Sequence, residues 1–508
     1  MNLFQKLSAL SERAKLTLIL LTALVARLLG ITTRPIWYDE AFAVLFAEKG
    51  LAAMLQGTLA PDINGAAADI HPLAYYTLLW GWMKVFGESL ISVRMLSIIF
   101  GVASVLVAYL LLRAMFNSPR LALLGALGVA LSPFQVHYSQ EIRMYALLTL
   151  ALIGATFALW QGLNTSQRRW WVLFAVCAAL AEYTQNLAAF YLVPLALTPV
   201  FMRRWDKVKM TVLAGAGALL LYLPWLLQLP SQFAKIQNAY WVERPTLASI
   251  LNTLLSYVTN LPVDGIWIMP ALGLSLLVTL FAADQTLRVV RSKRPGAWRG
   301  VWLAYLAFAP AALMFIVSQW KPVYIERALL PAGLVFWLWL AWVLTETRLP
   351  PLMRWLNMGL LASGIVLGLV THLTYTGFPY GPYPALTASL ASRFAVGDVI
   401  LHSNKLSVFP MIYHDRTLEQ SFLADPPGAT TDTLAPVTQD VLGIHDSDSL
   451  ESATGSAKRV WFVIFQKSID EVTAENQITH PHITWLDRHF HRQNLETWGP
   501  LLIYEYTR

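Results

Sequence analysis

The sequence predicts an all-α polytopic membrane domain of about eleven transmembrane helices, followed by a small C-terminal α/β extracytoplasmic domain. Three observations predict it. Hydrophobic residues fill 56% of the 508 positions and charged residues only 13%, about half their share in a typical soluble domain. Apolar runs approaching the roughly 20 residues that a spanning helix requires recur along the first 373 positions. Lys and Arg gather in alternate short connections between these runs, as the positive-inside rule expects.

The apolar runs cover residues 16–29, 91–112, 121–134, 146–160, 172–181, 187–201, 212–227, 266–283, 301–317, 328–344 and 355–370. Backbone groups in lipid must bond within their own segment, so each run is expected as a helix. With the N-terminus cytoplasmic, the basic connections fall on one side: Arg113 and Arg120; Arg168 and Arg169; Arg203 to Lys209; Arg288 to Arg299; Arg348 and Arg354. An odd number of spans then places the C-terminal segment outside the plasma membrane. This patterning also explains the sequence pI near 9.3 without nucleic acid. The single cysteine, Cys177, lies inside an apolar run and implies no disulfide framework. The first run lacks a small-residue cleavage site at its end and is expected to be retained as a helix.

Four connections are expected on the outer side: residues 34–89, 132–145, 230–264 and 318–327. Within the first, residues 71–86 read as an amphipathic, Trp- and Tyr-rich segment along the membrane surface. Residues 1–373 form the expected membrane domain and 374–508 the outer one, where the chain turns polar. Short β-type runs at 398–402, 460–465 and 501–506 alternate there with helical stretches and a Pro/Thr/Asp-rich linker at 425–438. No internal repeat stands out, which disfavours the many transporters built from repeats.

Four clusters carry candidate chemistry. Asp39 and Glu40 follow Trp37-Tyr38 just beyond the first helix. A carboxylate at headgroup level suits a base that takes a proton from an attacking hydroxyl, and the pair equally suits a solvated helix cap. The second cluster is Ser139 to Tyr145, with Glu141 and Arg143 two positions apart and so not facing one another on one helix. Arg143 suits a bidentate phosphate contact or a helix-end salt bridge. The third holds Lys321, Tyr324, Glu326 and Arg327, cations suited to a phosphate leaving group or to snorkelling toward headgroups. The fourth is Asp69-Ile-His71-Pro72 with Tyr75 and Tyr76, where His71 suits a phosphate, a metal or a structural hydrogen bond. The spacing of His480, His482, His489 and His491 fits no firm metal pattern. No P-loop, Gly-rich dinucleotide motif or zinc spacing stands out, so a nucleotide-sugar donor is not supported.

Taken together, Arg27, the block from Pro35 to Phe42, the block from His71 to Tyr76, Val93 to Ser97, Leu131 to Phe134 with Tyr138 to Tyr145, and Lys321 to Pro331 resemble the polytopic glycosyltransferases of the GT-C superfamily. The resemblance is to the bacterial group related to protein O-mannosyltransferases and the lipid A aminoarabinose transferase. It implies a polyprenyl-phosphate sugar donor, an inverting transfer on the outer face, and membrane lipid as the setting. By the same likeness Asp39 is the base and Glu40 an auxiliary. Arg143, Arg327, Lys321 and His71 are donor phosphate contacts; Glu141, Tyr145, Tyr324 and Tyr75 are substrate contacts. Where the group often has His-Pro-Pro, this chain has His71-Pro72-Leu73, and a lysine found near this block in aminoarabinose-transferase relatives is replaced by His71. The acceptor, whether lipid, glycan or protein, is left open. No cofactor is firmly implied, and a divalent metal is allowed. A lipid-linked sugar flippase or transporter and a glycan ligase or polymerase are the competing readings; the first-loop acid pair and the clustering of charge at helix ends favour transfer.

Overall fold

The computed structural model describes residues 9–61, 68–165, 167–238, 242–263, 265–294, 296–347, 349–425, 434–476 and 479–508. The expected apolar runs fall mainly on helix, with breaks at Ser132 and Leu197. Against the roughly eleven spans expected, seven helices among the described residues are each long and apolar enough to cross a membrane, or eight if a bent pair counts as one span. Runs 16–29 and 172–181 fall on the 17-residue helices α1 (Glu12–Leu28) and α9 (Arg168–Thr184). The 187–201 run breaks into Asn186–Ala188, α10 (Ala189–Ala196, with Pro194 inside) and Thr198–Phe201.

The connection expected at 34–89 folds instead into three helices: α2 (Tyr38–Ala47), α3 (Leu51–Leu59) and α4 (Ala74–Phe86). Gly50 turns the chain between the first two at φ +86°, a region glycine enters without steric cost. The long helix α5 (Leu90–Phe116) is capped by Ser89, whose hydroxyl accepts from Ser92 N, and ends at Asn117 in the left-handed region.

The bend that matters for the site comes next. Helix α6 (Pro119–Leu131) ends at Ser132, and Pro133 starts α7 (Pro133–Gln140) at 53° to it. Proline has no amide hydrogen, and its ring clashes with the preceding turn, so a continuous helix cannot pass. The stretch expected as an outer loop at 132–145 is therefore a buried half-helix, followed by a short non-helical turn before α8 (Tyr145–Thr165). Helices α11 (Trp205–Leu226), α12 (Leu229–Asn238), α13 (Leu247–Val258), α14 (Gly265–Arg291) and α15 (Ala297–Ser318) follow. Helix α16 (Leu330–Glu346) is buried without interruption from Leu330 to Leu344 and forms the centre of the bundle. A helix apolar all round belongs in such a place. The outer helices do the reverse: α11 exposes Val212, Leu219 and Leu220, and α17 (Pro351–Thr374) exposes Val366 and Val370. Such an apolar exterior suits a lipid surround.

A buried polar network locks these helices. Arg27 donates to Ser139 Oγ (3.1 Å) and Ala130 O (2.9 Å), and Gln140 donates to Arg27 O (2.8 Å) and Leu29 O (2.7 Å). His372 on α17 contacts Gln140 Oε1 (2.7 Å) and His137 (3.1 Å). The first helix, the bent pair and the last helix are thus joined by groups that would be costly to leave unpaired.

Among the described residues, the C-terminal part holds a six-stranded mixed sheet in the order β3-β2-β1-β4-β6-β5. Strands β1 (Asp398–His402), β4 (Arg459–Phe465) and β6 (Leu501–Thr507) carry the three expected runs. Strands β2 (Gln420–Leu423), β3 (Asp446–Ser447) and β5 (His491–Trp498) were not expected. They are short or, in β5, largely exposed and polar, and lack the apolar alternation by which a strand is read. Much of the 425–438 linker lies outside the described residues. Beyond α18 (Tyr383–Arg393), helix α19 (Lys405–His414) packs along α2: the Phe409 ring lies 5.3 Å from Tyr38 and 6.0 Å from Phe42. Arg416 holds Glu48 (2.7 Å) and Glu88 (3.2 Å), and Thr438 donates to Gly57 O (2.8 Å).

Candidate active site

A cavity of about 540 Å³ opens where α2, the turn after α7, the segment before α16 and the C-terminal sheet unit meet. Ligand pockets commonly fall in this size range. Trp37, Tyr38, Asp39, His71, Tyr76, Arg143, Tyr145, Arg327, Lys405 and Lys467 are among its lining residues.

Asp39 stands in the first turn of α2 with its side chain 14% exposed. Its Oδ2 accepts from Arg327 Nη1 at 3.1 Å and lies 3.7 Å from Arg143 Nε, an ion pair too long for a hydrogen bond. Burial pulls the Asp39 carboxyl upward, but Arg143, Arg327, His71 and Lys405 outweigh it and hold the group below the ordinary aspartate value. It is an ionised carboxylate with both recorded cation contacts on one oxygen. Arg143 also donates to Tyr76 OH at 2.9 Å, and the Arg327 guanidinium lies 5.5 Å above the Tyr145 ring.

Asp69 organises a further part of the wall. Its Oδ1 meets His71 Nδ1 at 2.8 Å and accepts from Ile70 N (2.6 Å) and His71 N (3.3 Å). Burial raises the Asp69 carboxyl, and His71 with the Ile70 amide more than reverses this. With Nδ1 engaged, Nε2 is the ring nitrogen left for a ligand.

The expected site residues therefore divide. Asp39, His71, Arg143, Tyr145 and Arg327 line one cavity. Glu40 does not: it is fully buried, clasped by Arg94 at 2.8 Å and 3.1 Å, and accepts from Ile142 N at 3.1 Å. One helical position turns a side chain about 100°, which aims Glu40 into the protein when Asp39 faces the cavity. Arg94 further donates to Ile31 O (2.7 Å) and Arg34 O (2.9 Å), so this pair staples the start of the segment to α5. Glu141 likewise faces inward, to Arg34 and His137 at 3.3 Å each. Tyr75 spends its hydroxyl on Ser97 (2.8 Å), and its neighbour Tyr76 takes the cavity wall. Tyr324 bonds Thr253 at 2.6 Å; in this extended stretch Val323 and Ile325 face the cavity and Tyr324 faces away. Lys321 is not among the lining residues.

Sequence reasoning did not single out Lys405, Lys467, Gln185 or Asn186, all of which line the cavity. Lys405 and Lys467 come from the C-terminal unit, and only a fold that lays α19 on α2 brings Lys405 to the site. Among the described residues no three His, Cys, Asp or Glu side chains group as a metal site.

The family described as dolichyl-phosphate-mannose-protein mannosyltransferase matches residues 70–227. The chain is 27% identical over 339 residues to an undecaprenyl phosphate-alpha-4-amino-4-deoxy-L-arabinose arabinosyl transferase of Pseudomonas aeruginosa, covering 64% of this chain and 59% of that protein. A similarly named protein of Pseudomonas fluorescens is 30% identical over 227 residues, covering 43% of this chain and 38% of that one. The chain thus matches less than two thirds of these relatives' own length. Crystal structures of ArnT from Cupriavidus metallidurans superpose over 96% of this chain and 97% of theirs at 12% identity. The TM-score is 0.62 for the apo state and 0.60 for the state bound to undecaprenyl phosphate. At that identity the superposition shows a shared fold.

Proposed function

Because the chain has the GT-C fold and is related in sequence to the lipid A aminoarabinose transferases, we propose that it moves a sugar from a polyprenyl phosphate to an acceptor hydroxyl. The observation that carries the proposal is the Asp39 carboxyl in a cavity wall, 3.1 Å from Arg327 and 3.7 Å from Arg143. The relatives' names supply the class of donor, and one solved neighbour binds undecaprenyl phosphate.

The lipid tail stays in the bilayer and its phosphate enters the cavity at the membrane interface. Arg143 and Arg327 bind that phosphate, with His71 as a further contact. The acceptor oxygen attacks the anomeric carbon as the bond to the phosphate oxygen breaks. Asp39 takes the acceptor proton, and the bond's electron pair leaves with the phosphate. A single displacement of this kind inverts the anomeric centre. Arginine charge favours the step because negative charge builds on the departing oxygen. It also makes Asp39 a weak base while both arginines hold it; a phosphate that draws them away raises its basicity. Tyr76 and Tyr145 serve the sugar side of the cavity. In this reading residues 1–373 hold the donor in the plasma membrane, residues 374–508 lie on its outer face, and the N-terminus is cytoplasmic.

Transfer from a radiolabelled lipid-linked sugar, measured with purified wild type and Asp39→Asn, tests the proposal. Undiminished transfer by a correctly folded variant sinks the base assignment. Movement of the lipid-linked sugar across vesicles without covalent transfer sinks the enzyme reading.

A further inference from the structure

Arg143 and Arg327 both meet the Asp39 carboxylate, and these three groups together carry one net positive charge. A sugar bound through phosphate to a lipid is a phosphodiester with one negative charge, which that trio can offset. Transfer turns that diester into a monoester carrying about −1.5 to −2 at neutral pH. Once Asp39 has passed its proton to water, the departing lipid phosphate is short of cations.

Lys405 is placed to meet this need. It is the first residue of α19, which the Phe409 contacts lay against α2, the helix that carries Asp39. Its ammonium lies 5.7 Å from the centre of the Tyr38 ring, beside Asp39 in sequence, and Lys405 lines the same cavity. Among the described residues no carboxylate is recorded in an ion pair with it. The other lysine that the sheet unit brings here, Lys467, is paired with Glu471 at 3.5 Å. A cationic side chain resting on an aromatic face, close enough to Asp39 to act on it through space but in no recorded ion pair, keeps its charge for an incoming anion.

We propose that Lys405 is a third cation for the carrier phosphate, engaged as the phosphodiester becomes a monoester, so that the C-terminal unit is part of the donor site. This rests on the polyprenyl-phosphate reading above. Lys405 binds the departing group and takes no proton.

The test uses the full chain in lipid nanodiscs with undecaprenyl phosphate and undecaprenol as probes. Lys405→Met keeps the stem and removes the charge. It is expected to weaken undecaprenyl phosphate binding by about tenfold, the scale of one charged contact, to leave undecaprenol binding unchanged, and to raise the inhibition constant of undecaprenyl phosphate more than the KM of the intact donor. Lys405→Arg is expected to restore most of the loss. Arg416→Met, which loosens the same unit at Glu48 and Glu88 away from the cavity, separates charge from docking and is expected to leave binding within about twofold. The inference is overturned if Lys405→Met binds undecaprenyl phosphate as wild type does, if Arg416→Met loses as much, or if only the acceptor's KM changes. Failure of wild type to bind undecaprenyl phosphate would instead overturn the donor reading on which it rests.

Discussion

Two arginine–carboxylate clusters lie back to back across α2, and they differ in what surrounds them. In the cavity, Arg143 and Arg327 meet Asp39 through one hydrogen bond and one longer ion pair, with the carboxylate partly exposed. Behind it, Arg94 grips Glu40 through both oxygens and also ties down backbone carbonyls at Ile31 and Arg34, with no exposure at either side chain. The first arrangement leaves charge available to a ligand. The second has spent its donors on the protein and holds the segment in place. A buried pair is costly to break because the remaining charge has nowhere to go, whereas a cavity pair can exchange its partner for an anion.

The sharpest way to break this contrast is at the adjacent acids. Asp39→Asn is expected to lower transfer by about 10²- to 10⁴-fold, the usual contribution of a general base, with thermal unfolding in detergent little changed. Arg94→Met is expected to act the other way round. Stranding Glu40 costs about 3–5 kcal/mol, seen as a large drop in unfolding temperature, and activity is lost only through unfolding. Arg143→Met leaves Arg327 as the one cation in a recorded ion pair with Asp39 and, on the proposed reading, removes a phosphate contact; a loss of about ten- to a hundredfold in kcat/KM is expected, in line with one charge-assisted hydrogen bond.

Acidity sharpens the comparison further. Asp39 is held below the ordinary aspartate value, so it stays ionised at mildly acidic pH. The acidic limb of kcat/KM that reports Asp39 is therefore expected below the ordinary carboxylate range. Arg327→Gln removes one of the opposing charges, and the limb is expected to move to higher pH; a profile that does not move would separate Asp39 from the rate. The smallest effect is expected at the tyrosines. Tyr75→Phe loses only its Ser97 bond, about 1 kcal/mol of stability with transfer intact. Tyr76→Phe releases Arg143 and is expected to show in the KM of the donor.

What was legible in the sequence follows from periodicity and spacing. The helices could be read because lipid demands long apolar runs, and β1, β4 and β6 because buried strands are apolar. The blocks holding Arg143 and Arg327 could be read because they sit beside such runs, and those holding Asp39 and His71 because charged and aromatic residues cluster in the connection between two of them. Which member of a block faces the cavity could not be read. Asp39 and Glu40, or Tyr75 and Tyr76, are alike in kind and differ only by one helical step, and their facing depends on Arg94 and Ser97 arriving from another helix.

By itself the sequence determined a helical membrane protein, a polar unit after it, and charged blocks at helix ends, since these depend on local composition and the cost of burying backbone in lipid. Only tertiary structure decided that Pro133 bends the chain to carry Arg143 toward Asp39, that Glu40 and Glu141 are spent on Arg94 and Arg34, and that Lys405 reaches the cavity from the far end of the chain. The physical reason is that ion pairs and cavity walls are made between segments distant in sequence. Their geometry is set by how helices pack, and no local pattern encodes it.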